Sequence, residues 1–301
     1  MKRRIAIAGN GAWAQALAHV ARTAGHEVGM WSRRQSELVE FSGYDAIIVA
    51  VPAQAVREVL TIIKPPKGHV LIISAKGIEQ QTGKFMNEVV AEIIPGAHAL
   101  VLSGPSFASD VMKGLPTAVT LAAPTLSEAG EWAQALTLPA FRIYGSDDVM
   151  GVEIGGALKN VLAIACGISD GRGLGDSARA ALTTRGFAEM MRFGKKLGAK
   201  PETLTGLAGL GDLLLTCSSR QSRNYSFGLA IGQGSSVADA LAASRGVVEG
   251  AYTARVAHDL AMKREVDMPI VAAVSAIVDR GAEPGGEIAR LMARPVREEI
   301  R

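Results

Sequence analysis

The sequence predicts an α/β fold with two domains: a doubly wound, Rossmann-type, mostly parallel sheet, followed by an all-α domain. Three observations support this. Short apolar runs alternate with helical stretches through the first half of the chain. The runs are apolar throughout, as in strands buried on both faces of a parallel sheet. Strand patterns cease after Gly145. The 301 residues suffice for two cores, which we assign to residues 1–146 and 147–301.

The first elements carry a specific signal. A strand over Arg4–Ala8 leads through Gly9-Asn10-Gly11-Ala12-Trp13-Ala14 into a helix over Ala12–Ala24. This order presents backbone N–H groups at a helix N-terminus to a pyrophosphate. Gly9 permits the tight turn, Gly11 admits close approach of the phosphates, and Ala14 is small enough to pack on the strand. The alternative is an ordinary strand-to-helix turn.

The remaining elements follow from the same patterns. Further strands are predicted over Glu27–Trp31, Ala46–Ala50, Val70–Ser74, His98–Ser103, Thr117–Ala122 and Phe141–Tyr144, with helices over Ala53–Ile63, Thr82–Ile94 and Ser127–Leu136. The second half predicts helices over Asp148–Ile168, Ser177–Leu197, Val237–Ala243, Ala251–Arg264, Pro269–Asp279 and Gly286–Ala293. Asp176 or Ser177 suits an N-cap, Gly198 a helix stop and Pro269 a first turn.

Composition excludes several classes of function. The net charge is +3, aromatic residues make up 5%, and no basic block is long enough to suggest a nucleic-acid partner. Two cysteines without a CxxC spacing imply buried thiols in a reducing compartment. Polar residues interrupt the apolar run after Lys2, so neither a signal peptide nor a membrane span is expected, and the cytoplasm is the default location. The five histidines form no metal-ligand spacing, so no metal is expected.

The end of the second predicted strand bears on cofactor choice. Arg33 and Arg34 follow Trp31-Ser32, and no carboxylate stands there to bind a ribose 2′-hydroxyl. Two guanidinium groups match the 2′-phosphate of NADP(H). We therefore expect NADP(H) to be preferred, with NAD(H) as the alternative. Solvated loop charges, or arginine stacking on the adenine of either cofactor, would also account for the pair.

An apolar helix carries the first candidate for chemistry. Gly155–Ala165 is nearly all small or apolar, yet contains Lys159 and Asn160. A desolvated lysine has a lowered pKa and can exchange protons near neutrality. On the helix alone, a lysine that reaches solvent is the commoner outcome. Asp212 lies in a second apolar, glycine-rich stretch and would share a helix face with Thr216. A buried carboxylate needs a partner, and a lysine is the natural one.

Three further segments complete the candidate site. Lys76 follows the fourth predicted strand, and the turn Leu102-Ser103-Gly104-Pro105-Ser106-Phe107-Ala108 follows the fifth. Ligands bind beyond the carboxyl ends of such strands. Ser218–Asn224 then offers two arginines, an asparagine and several hydroxyls, the donors that a phosphate ester requires. A polar surface loop is the alternative for that stretch.

Together these motifs resemble bacterial NAD(P)-dependent glycerol-3-phosphate dehydrogenase over nearly the whole chain. The resemblance rests on the turn from Gly9 to Ala14, Trp31-Ser32-Arg33, Ser74-Ala75-Lys76-Gly77-Ile78-Glu79, the turn from Leu102 to Ala108, Gly156-Ala157-Leu158-Lys159-Asn160, Gly209-Leu210-Gly211-Asp212-Leu213, Ser222-Arg223-Asn224 and Val247-Val248-Glu249-Gly250. Such enzymes interconvert dihydroxyacetone phosphate and sn-glycerol 3-phosphate, the backbone of phospholipids.

The resemblance implies roles for individual residues. Lys159 would be the general acid and base, with Lys76 and Asp212 beside it. The implied cofactor set is Gly9, Gly11, Ala12, Trp13, Ala14, Arg33, Arg34, Lys76, Ala108, Arg223, Val247 and Glu249. The implied substrate set is Lys76, Gly104, Ser106, Lys159, Asn160, Asp212, Thr216, Ser222, Arg223 and Asn224.

Two departures from the family's pattern concern the cofactor. Ala12 and Ala14 replace the more usual serine and glycine, and only about ten residues separate Arg34 from the third strand. Two other functions remain open at this point: a lysine-using dehydrogenase of hydroxy or keto acids, such as a ketopantoate type, and a non-catalytic NADP(H) sensor. The sequence is compatible with a homodimer.

Overall fold

One sheet organises the N-terminal half of the computed structural model, which describes residues 2–33 and 40–295. Its strands within those residues are β1 (Arg4–Ala8), β2 (Glu27–Trp31), β3 (Ala46–Val49), β4 (Val70–Ile73), β5 (His98–Ser103), β6 (Thr117–Ala122) and β7 (Phe141–Ser146). Their order is β2-β1-β3-β4-β5-β6-β7. All neighbours are parallel except β5 and β6. The predicted mostly parallel sheet is confirmed.

Helices lie in most of the connections between strands and make up the described part of the C-terminal half. They are α1 (Ala12–Thr23), α2 (Val56–Ile63), α3 (Met86–Ile93), α4 (Ala108–Met112), α5 (Leu126–Leu136), α6 (Val149–Gly171), α7 (Asp176–Lys196), α8 (Pro201–Thr205), α9 (Asp212–Cys217), α10 (Arg223–Gly232), α11 (Val237–Ala242), α12 (Glu249–Lys263), α13 (Pro269–Arg280) and α14 (Pro284–Met292). Single turns of 3₁₀ helix at Phe41–Gly43 and Ala53–Ala55 and of π helix at Leu207–Gly211 join some of them.

The sheet is buried on both faces, which explains why its strands are apolar throughout. Ile7 and Ile48 belong to the core on the face covered by α1, and Ile47 and Leu71 to the core covered by α2 and α3. Both sets are almost fully excluded from solvent. Alternate residues of a strand point to opposite faces, so each strand needs apolar side chains at every position.

Helix α6 is the centre of the helical domain. It is long and apolar enough to cross a membrane by composition, but 89% of that window is buried inside the protein. Helix α10 lies directly against it. The contact is so close that a Cβ at Gly228 would overlap the carbonyl oxygen of Ile164, and a Cβ at Gly167 would overlap that of Tyr225. Glycines at these points let the two backbones approach. The all-α character predicted for this half is confirmed.

Several local predictions were wrong for identifiable reasons. Helix α3 begins at Met86 rather than Thr82, because a bridge between Ile78 and Phe85 first turns the chain back on itself. The predicted N-cap, Asp176 or Ser177, lies inside α7, whose cap is Gly175 at φ +86°. Gly198 does end that helix region, at φ +81°.

The short helices α4 and α8 and the longer α10 were not predicted. The domain division at residues 146 and 147 remains a prediction. Arg34 lies outside the described residues.

Candidate active site

The carboxyl ends of β4 and β5 meet helix α6 at the border between the sheet and the helical domain. Lys76 lies three positions beyond β4, and Gly104 directly follows β5. A Cβ at Gly156 would lie 2.9 Å from Ser103 Oγ and 3.4 Å from Lys76 Cγ. A glycine in the middle of α6 therefore brings the helix against both strand ends.

A buried carboxylate bridges two lysines at this border. Asp212 Oδ1 accepts from Lys159 Nζ at 2.7 Å, and Asp212 Oδ2 accepts from Lys76 Nζ at 2.7 Å. Lys159 Nζ also donates to Thr216 Oγ1 at 3.1 Å, while Lys76 Nζ donates to the Gly104 carbonyl at 3.0 Å. Asp212 is 1% exposed and Lys159 8%. Asp212 thus has the lysine partner that its apolar setting predicted, with Thr216 beside it, and Lys76 joins the same carboxylate as a second lysine.

Burial sets the protonation of this cluster. Desolvation lowers the pKa of Lys159 to about 8, the charge of Asp212 opposes that change, and the charge of Lys76 adds to it. Burial favours the neutral form of Asp212 too, but the ammonium groups of Lys159 and Lys76 hold its pKa below the ordinary value. Asp212 is therefore ionised at neutral pH, and Lys159 can gain or lose a proton there.

Two glycines, one before Asp212 and one in α6, allow the backbone to place Asp212 beside Lys159. Asp212 begins α9 directly after the π turn Leu207–Gly211. A Cβ at Gly209 would overlap the carbonyl of Leu204, and one at Gly155 would overlap that of Ala208. Without side chains at Gly209 and Gly155, the turn packs against α6 and delivers the carboxylate to Lys159.

Two asparagines connect the lysine cluster to the rest of the helical domain. Asn160 Nδ2 donates to the backbone carbonyls of Lys76 and Gly156, both at 3.2 Å. Asn224 Nδ2 donates to Asn160 Oδ1 at 2.8 Å, and Gly250 N donates to Asn224 Oδ1 at 2.8 Å. These bonds run from the loop after β4 through α6 and α10 to the start of α12.

The proposed phosphate donors lie at the start of α10. Ser222 is buried and caps that helix, with its Oγ accepting from Tyr225 N at 3.2 Å. Arg223 is the first helical residue, and a Cβ at Gly246 would lie 2.8 Å from Arg223 Nη1. Ser106 Oγ donates to Gly104 O at 3.1 Å. Arg223 and Asn224 therefore belong to the first turn of a helix, and the rest of the segment Ser218–Asn224 precedes it.

The turn after β1 fits a dinucleotide. Gly9 has φ +138°, and a Cβ there would overlap the Ala50 carbonyl. A Cβ at Gly11, by contrast, would have no other heavy atom of the described residues within 4 Å. No described side chain caps α1. Trp13 Nε1 is buried and lacks a hydrogen-bond partner among the described residues. A helix N-terminus with an open glycine beside it is a ready anion site.

Glu249 lies at the same carboxyl edge of the sheet, next to the segment that follows β3. Its Oε1 accepts from Ala53 N at 3.0 Å, and its Oε2 lacks a hydrogen-bond partner among the described residues. Burial raises the pKa of Glu249 to about 7, and the charge of Arg223 opposes that rise. The carboxyl therefore ties α12 to the sheet domain. Its second oxygen, Oε2, lies beside Gly77, at 3.3 Å from the position that a Cβ on this glycine would take.

The structure separates some of the predicted residues from this cluster. Ala108, the first residue of α4, packs partly buried against the core on the α1 face of the sheet. Arg33 Nη1 pairs with Glu58 Oε2 at 2.6 Å, and both side chains are about half exposed. Glu58 comes from α2, so no pattern near the end of β2 could have indicated it. Gly156 and Ser103 were also missed as site-forming residues, although two glycines inside an apolar helix signal close packing.

Comparisons with known proteins agree with this geometry. Residues 40–129 match the family model described as NAD-dependent glycerol-3-phosphate dehydrogenase N-terminus, and residues 148–288 match the corresponding C-terminus model. A glycerol-3-phosphate dehydrogenase [NAD(P)+] of Erythrobacter litoralis is 46% identical, over 99% of this chain and 98% of its own. A protein of the same name from Parvibaculum lavamentivorans is 45% identical over the same shares.

A solved structure extends the agreement to three dimensions. The crystal structure of glycerol-3-phosphate dehydrogenase from Coxiella burnetii superposes with a TM-score of 0.91 at 38% identity, covering 97% of this chain and 99% of its own.

Proposed function

The chain belongs to the NAD-dependent glycerol-3-phosphate dehydrogenase family, and we propose from this membership and the site geometry how its residues perform the reaction. The enzyme interconverts dihydroxyacetone phosphate and sn-glycerol 3-phosphate with NAD(P)H. The observation that carries the proposal is the Asp212 carboxylate, which holds Lys159 and Lys76 at 2.7 Å each where the two domains meet.

Lys159 is the general acid for ketone reduction. A nicotinamide cofactor, held through its pyrophosphate by the turn from Gly9 to Ala14, would supply a hydride to the carbonyl carbon. The Lys159 ammonium donates a proton to the developing alkoxide, and it recovers that proton readily because its pKa is about 8. The positive charge of Lys76 stabilises the same oxygen. In the reverse direction, neutral Lys159 accepts the proton of the substrate hydroxyl.

Asp212 keeps these two amines in place. As a carboxylate it accepts from both, so neither lysine can rotate away without breaking a buried ion pair. Thr216 adds a third contact to Lys159. The site thereby presents fixed donors to the oxygen where negative charge develops.

The start of α10 binds the phosphate. Arg223 offers a planar set of donors, and Ser222 and the backbone N–H groups of the first turn add neutral ones. Binding of this remote group positions the carbonyl against Lys159. Gly104 and Ser106, at the end of β5, line the space between the two ends of the substrate.

The test is loss of reduced-cofactor absorbance on adding dihydroxyacetone phosphate, compared with a 2-keto acid and with ketopantoate. Reduction of the phosphorylated ketone supports the proposal. Preferential turnover of a keto acid would favour the hydroxyacid type of dehydrogenase. Bound cofactor that none of these compounds oxidises would favour the sensor.

We propose that the enzyme prefers NADP(H), with Arg33 as a contact to the 2′-phosphate. No carboxylate lies among Trp31, Ser32 and Arg33 at the end of β2, and the exposed ion pair of Arg33 with Glu58 is weak enough to be exchanged for a dianion. Arg34 is proposed to assist. Gly9, Gly11, Ala12, Trp13 and Ala14 would hold the pyrophosphate, and Ala108, Val247 and Glu249 would line the rest of the cofactor site.

Titration with both reduced cofactors tests this preference. Wild-type protein should bind NADPH more tightly than NADH. Arg33→Gln should lose roughly 1.5–3 kcal/mol with NADPH and much less with NADH, the range for a hydrogen bond to a charged group. Glu58→Gln is the matched control, because it frees Arg33 and should favour NADPH. Tighter binding of NADH by the wild type would contradict the preference.

We also propose a cytoplasmic enzyme with its two domains divided at residues 146 and 147, and a homodimer as its assembly. Burial of α6 supports a role for that helix in the core rather than in a bilayer. Light scattering of the purified protein tests the dimer, and fractionation of cells tests the location.

A further inference from the structure

A short hairpin follows the loop that carries Lys76. Residues 78–85 turn the chain back on itself, and a bridge between Ile78 and Phe85 closes the turn. The side chains of Ile78 and Phe85 are buried in the core of the helical domain. The hairpin begins two positions after Lys76, so its placement decides where the Lys76 loop ends.

The Glu79 carboxylate is a buried charge within this hairpin, 4% exposed. Arg57 of α2 donates to it twice, from Nε to Oε1 at 2.7 Å and from Nη2 to Oε2 at 2.9 Å, and Thr82 Oγ1 also donates to Oε2. The Arg57 guanidinium holds the pKa of Glu79 below its ordinary value although burial opposes this, so the carboxylate is charged at neutral pH. Two parallel bonds of this kind fix orientation as well as distance.

A second side chain from the sheet domain holds the same end of the hairpin. Gln54 Nε2 donates to Ile78 O at 2.8 Å, and Gln54 Oε1 accepts from Gln80 N at 2.9 Å. Gln54 belongs to the 3₁₀ turn Ala53–Ala55, directly before α2. The amide and the ion pair of Arg57 thus attach the hairpin to one rigid part of the sheet domain, outside the lysine cluster.

The Lys76 loop is therefore held at both of its ends. At its start, Ser74 N donates to Val49 O at 3.0 Å. At its other end, Glu79 lies only three positions beyond Lys76, a distance that about 10 Å of extended chain can span. A shift of the hairpin is passed to Lys76 over this short segment, and the Lys76 ammonium must reach Asp212 Oδ2 at 2.7 Å.

We propose that Glu79 is a positioning residue for the reaction: its ion pair with Arg57 fixes the hairpin, and the hairpin fixes the loop that places the Lys76 ammonium. The inference rests on the proposed function, since it concerns the same site. Stability alone does not account for a buried ion pair, because apolar side chains of similar volume often serve as well. Displacements of about 1 Å at a reacting site can lower turnover by about a hundredfold.

Two carboxylates on one arginine provide a matched pair of variants. In Glu79→Gln the amide presents an N–H group to one of the two Arg57 donors, so the double bond pattern is lost and the hairpin is released. This variant should lower kcat about tenfold or more. Glu92→Gln is the control: Glu92 Oε2 accepts from Arg57 Nη2 at 2.9 Å, but the side chain is 43% exposed on α3. It should keep wild-type kcat, because an exposed ion pair contributes little.

The pKa of Lys159 gives a readout that a merely structural role would not move. The titratable groups that act on it are Asp212, Lys76 and Cys217. The two ammonium groups are roughly 5 Å apart, and at an effective dielectric constant of about 20 each further ångström raises the pKa of Lys159 by up to about 0.4 units. The alkaline limb of kcat/KM for ketone reduction should therefore move to higher pH in Glu79→Gln. In a Lys76→Met background the same substitution should cause no further shift, because the charge that moves is absent.

A titration without turnover makes the test independent of the reaction. In protein carrying isotope-labelled lysine, the NMR signal of the Lys159 ε-carbon, identified by its loss in Lys159→Ala, follows the same pKa. Its midpoint should rise in Glu79→Gln and stay unchanged in Glu92→Gln. If Glu79→Gln folds poorly, Gln54→Ala removes the second anchor without disturbing a buried charge, and it should shift the midpoint in the same direction by a smaller amount.

The outcomes separate this inference from the proposed function. A wild-type protein that fails to reduce dihydroxyacetone phosphate overturns the proposed function, and the NMR titration still decides whether Glu79 fixes the place of Lys76. A Lys159 midpoint that is unchanged in Glu79→Gln, or that moves equally in the Lys76→Met background, overturns this inference alone. A Glu92→Gln variant that matches Glu79→Gln in kcat and in midpoint would also overturn it.

Discussion

Removal of the Lys76 charge should make Lys159 a weaker acid. Both ammonium groups contact Asp212, one at each oxygen, with 2.7 Å between nitrogen and oxygen. The two nitrogens are then roughly 5 Å apart, and at an effective dielectric constant of about 20 their repulsion is roughly 3 kcal/mol. That energy corresponds to about two pH units. Because the side chain of Lys76 is 15% exposed and solvent screens it, we expect Lys76→Met to raise the pKa of Lys159 by roughly one to two units.

The assay is the pH dependence of kcat/KM for reduction of dihydroxyacetone phosphate, which reports the free enzyme. Reduction needs protonated Lys159, so wild-type kcat/KM should fall as the pH rises through about 8. In Lys76→Met the midpoint should move to higher pH, while the plateau falls because a stabilising charge is lost. Oxidation of glycerol 3-phosphate, which needs the neutral amine, should rise through the same midpoints.

The position of the midpoint decides this prediction, not the size of the activity loss. Arg223→Ala serves as the control, because burial, Asp212 and Lys76 are the largest influences on the pKa of Lys159, and the midpoint of this variant should stay close to that of the wild type. An unchanged midpoint in Lys76→Met, or one at lower pH, would refute the electrostatic account of the cluster.

Three other predictions follow from burial and close packing. Lys159→Ala should lower kcat by about two to four orders of magnitude, the usual range for general acid–base help, when assayed with saturating cofactor. Burial raises the pKa of Glu153 to about 8, so the contribution of this carboxyl to stability is complete at low pH and is lost as the pH rises to that value. Between about pH 5.5 and 7.5, the free energy of unfolding of Glu153→Gln, measured in urea, should therefore increase by about 2–3 kcal/mol relative to that of the wild type. Gly228→Ala should destabilise the protein by more than about 2 kcal/mol, because its Cβ would overlap the Ile164 carbonyl, whereas Gly130→Ala, which meets nothing within 4 Å on α5, should be neutral or stabilising by up to about 1 kcal/mol.

Each of these has a result that would count against it. A Lys159→Ala enzyme within about threefold of wild-type turnover would remove this residue from the acid role. A constant stability difference between Glu153→Gln and wild type across the pH range would mean that the carboxyl does not titrate with folding. Equal thermal stability of the Gly228 and Gly130 variants would mean that α6 and α10 are not in close contact.

Local sequence patterns were sufficient to predict the elements whose side chains are apolar on every buried face. The strands were predicted within a few residues because a strand covered on both faces is apolar at every position, as Ile7 and Ile47 illustrate. Helix α3 was predicted with the wrong start, and helix α10 was not predicted. Their starts depend on a β-bridge at Phe85 and on a serine cap at Ser222, and such short polar segments resemble loops.

The candidate site divides in the same way. The apolar residues on either side of Lys159 and Asp212 indicated that both charges needed partners, because a buried apolar stretch excludes water from any charge within it. They could not indicate that Lys76 shares the same carboxylate from 136 positions away. Nor could they reveal that Arg33 faces Glu58 from another helix, or that the Asn224 amide is engaged by Asn160 and Gly250.

By itself the sequence determined the fold class, the family and the residue types proposed for the chemistry, because hydrophobic periodicity, glycine turns and isolated charges are properties of neighbouring residues. Only the tertiary structure decided which charges meet and which amides are committed. Those pairings join Lys76, Lys159 and Asp212 across long stretches of chain, and their geometry is fixed by the packing of α6 against the sheet and α9. The same packing excludes water from Lys159, and that exclusion sets the pKa on which the proposed proton transfer depends.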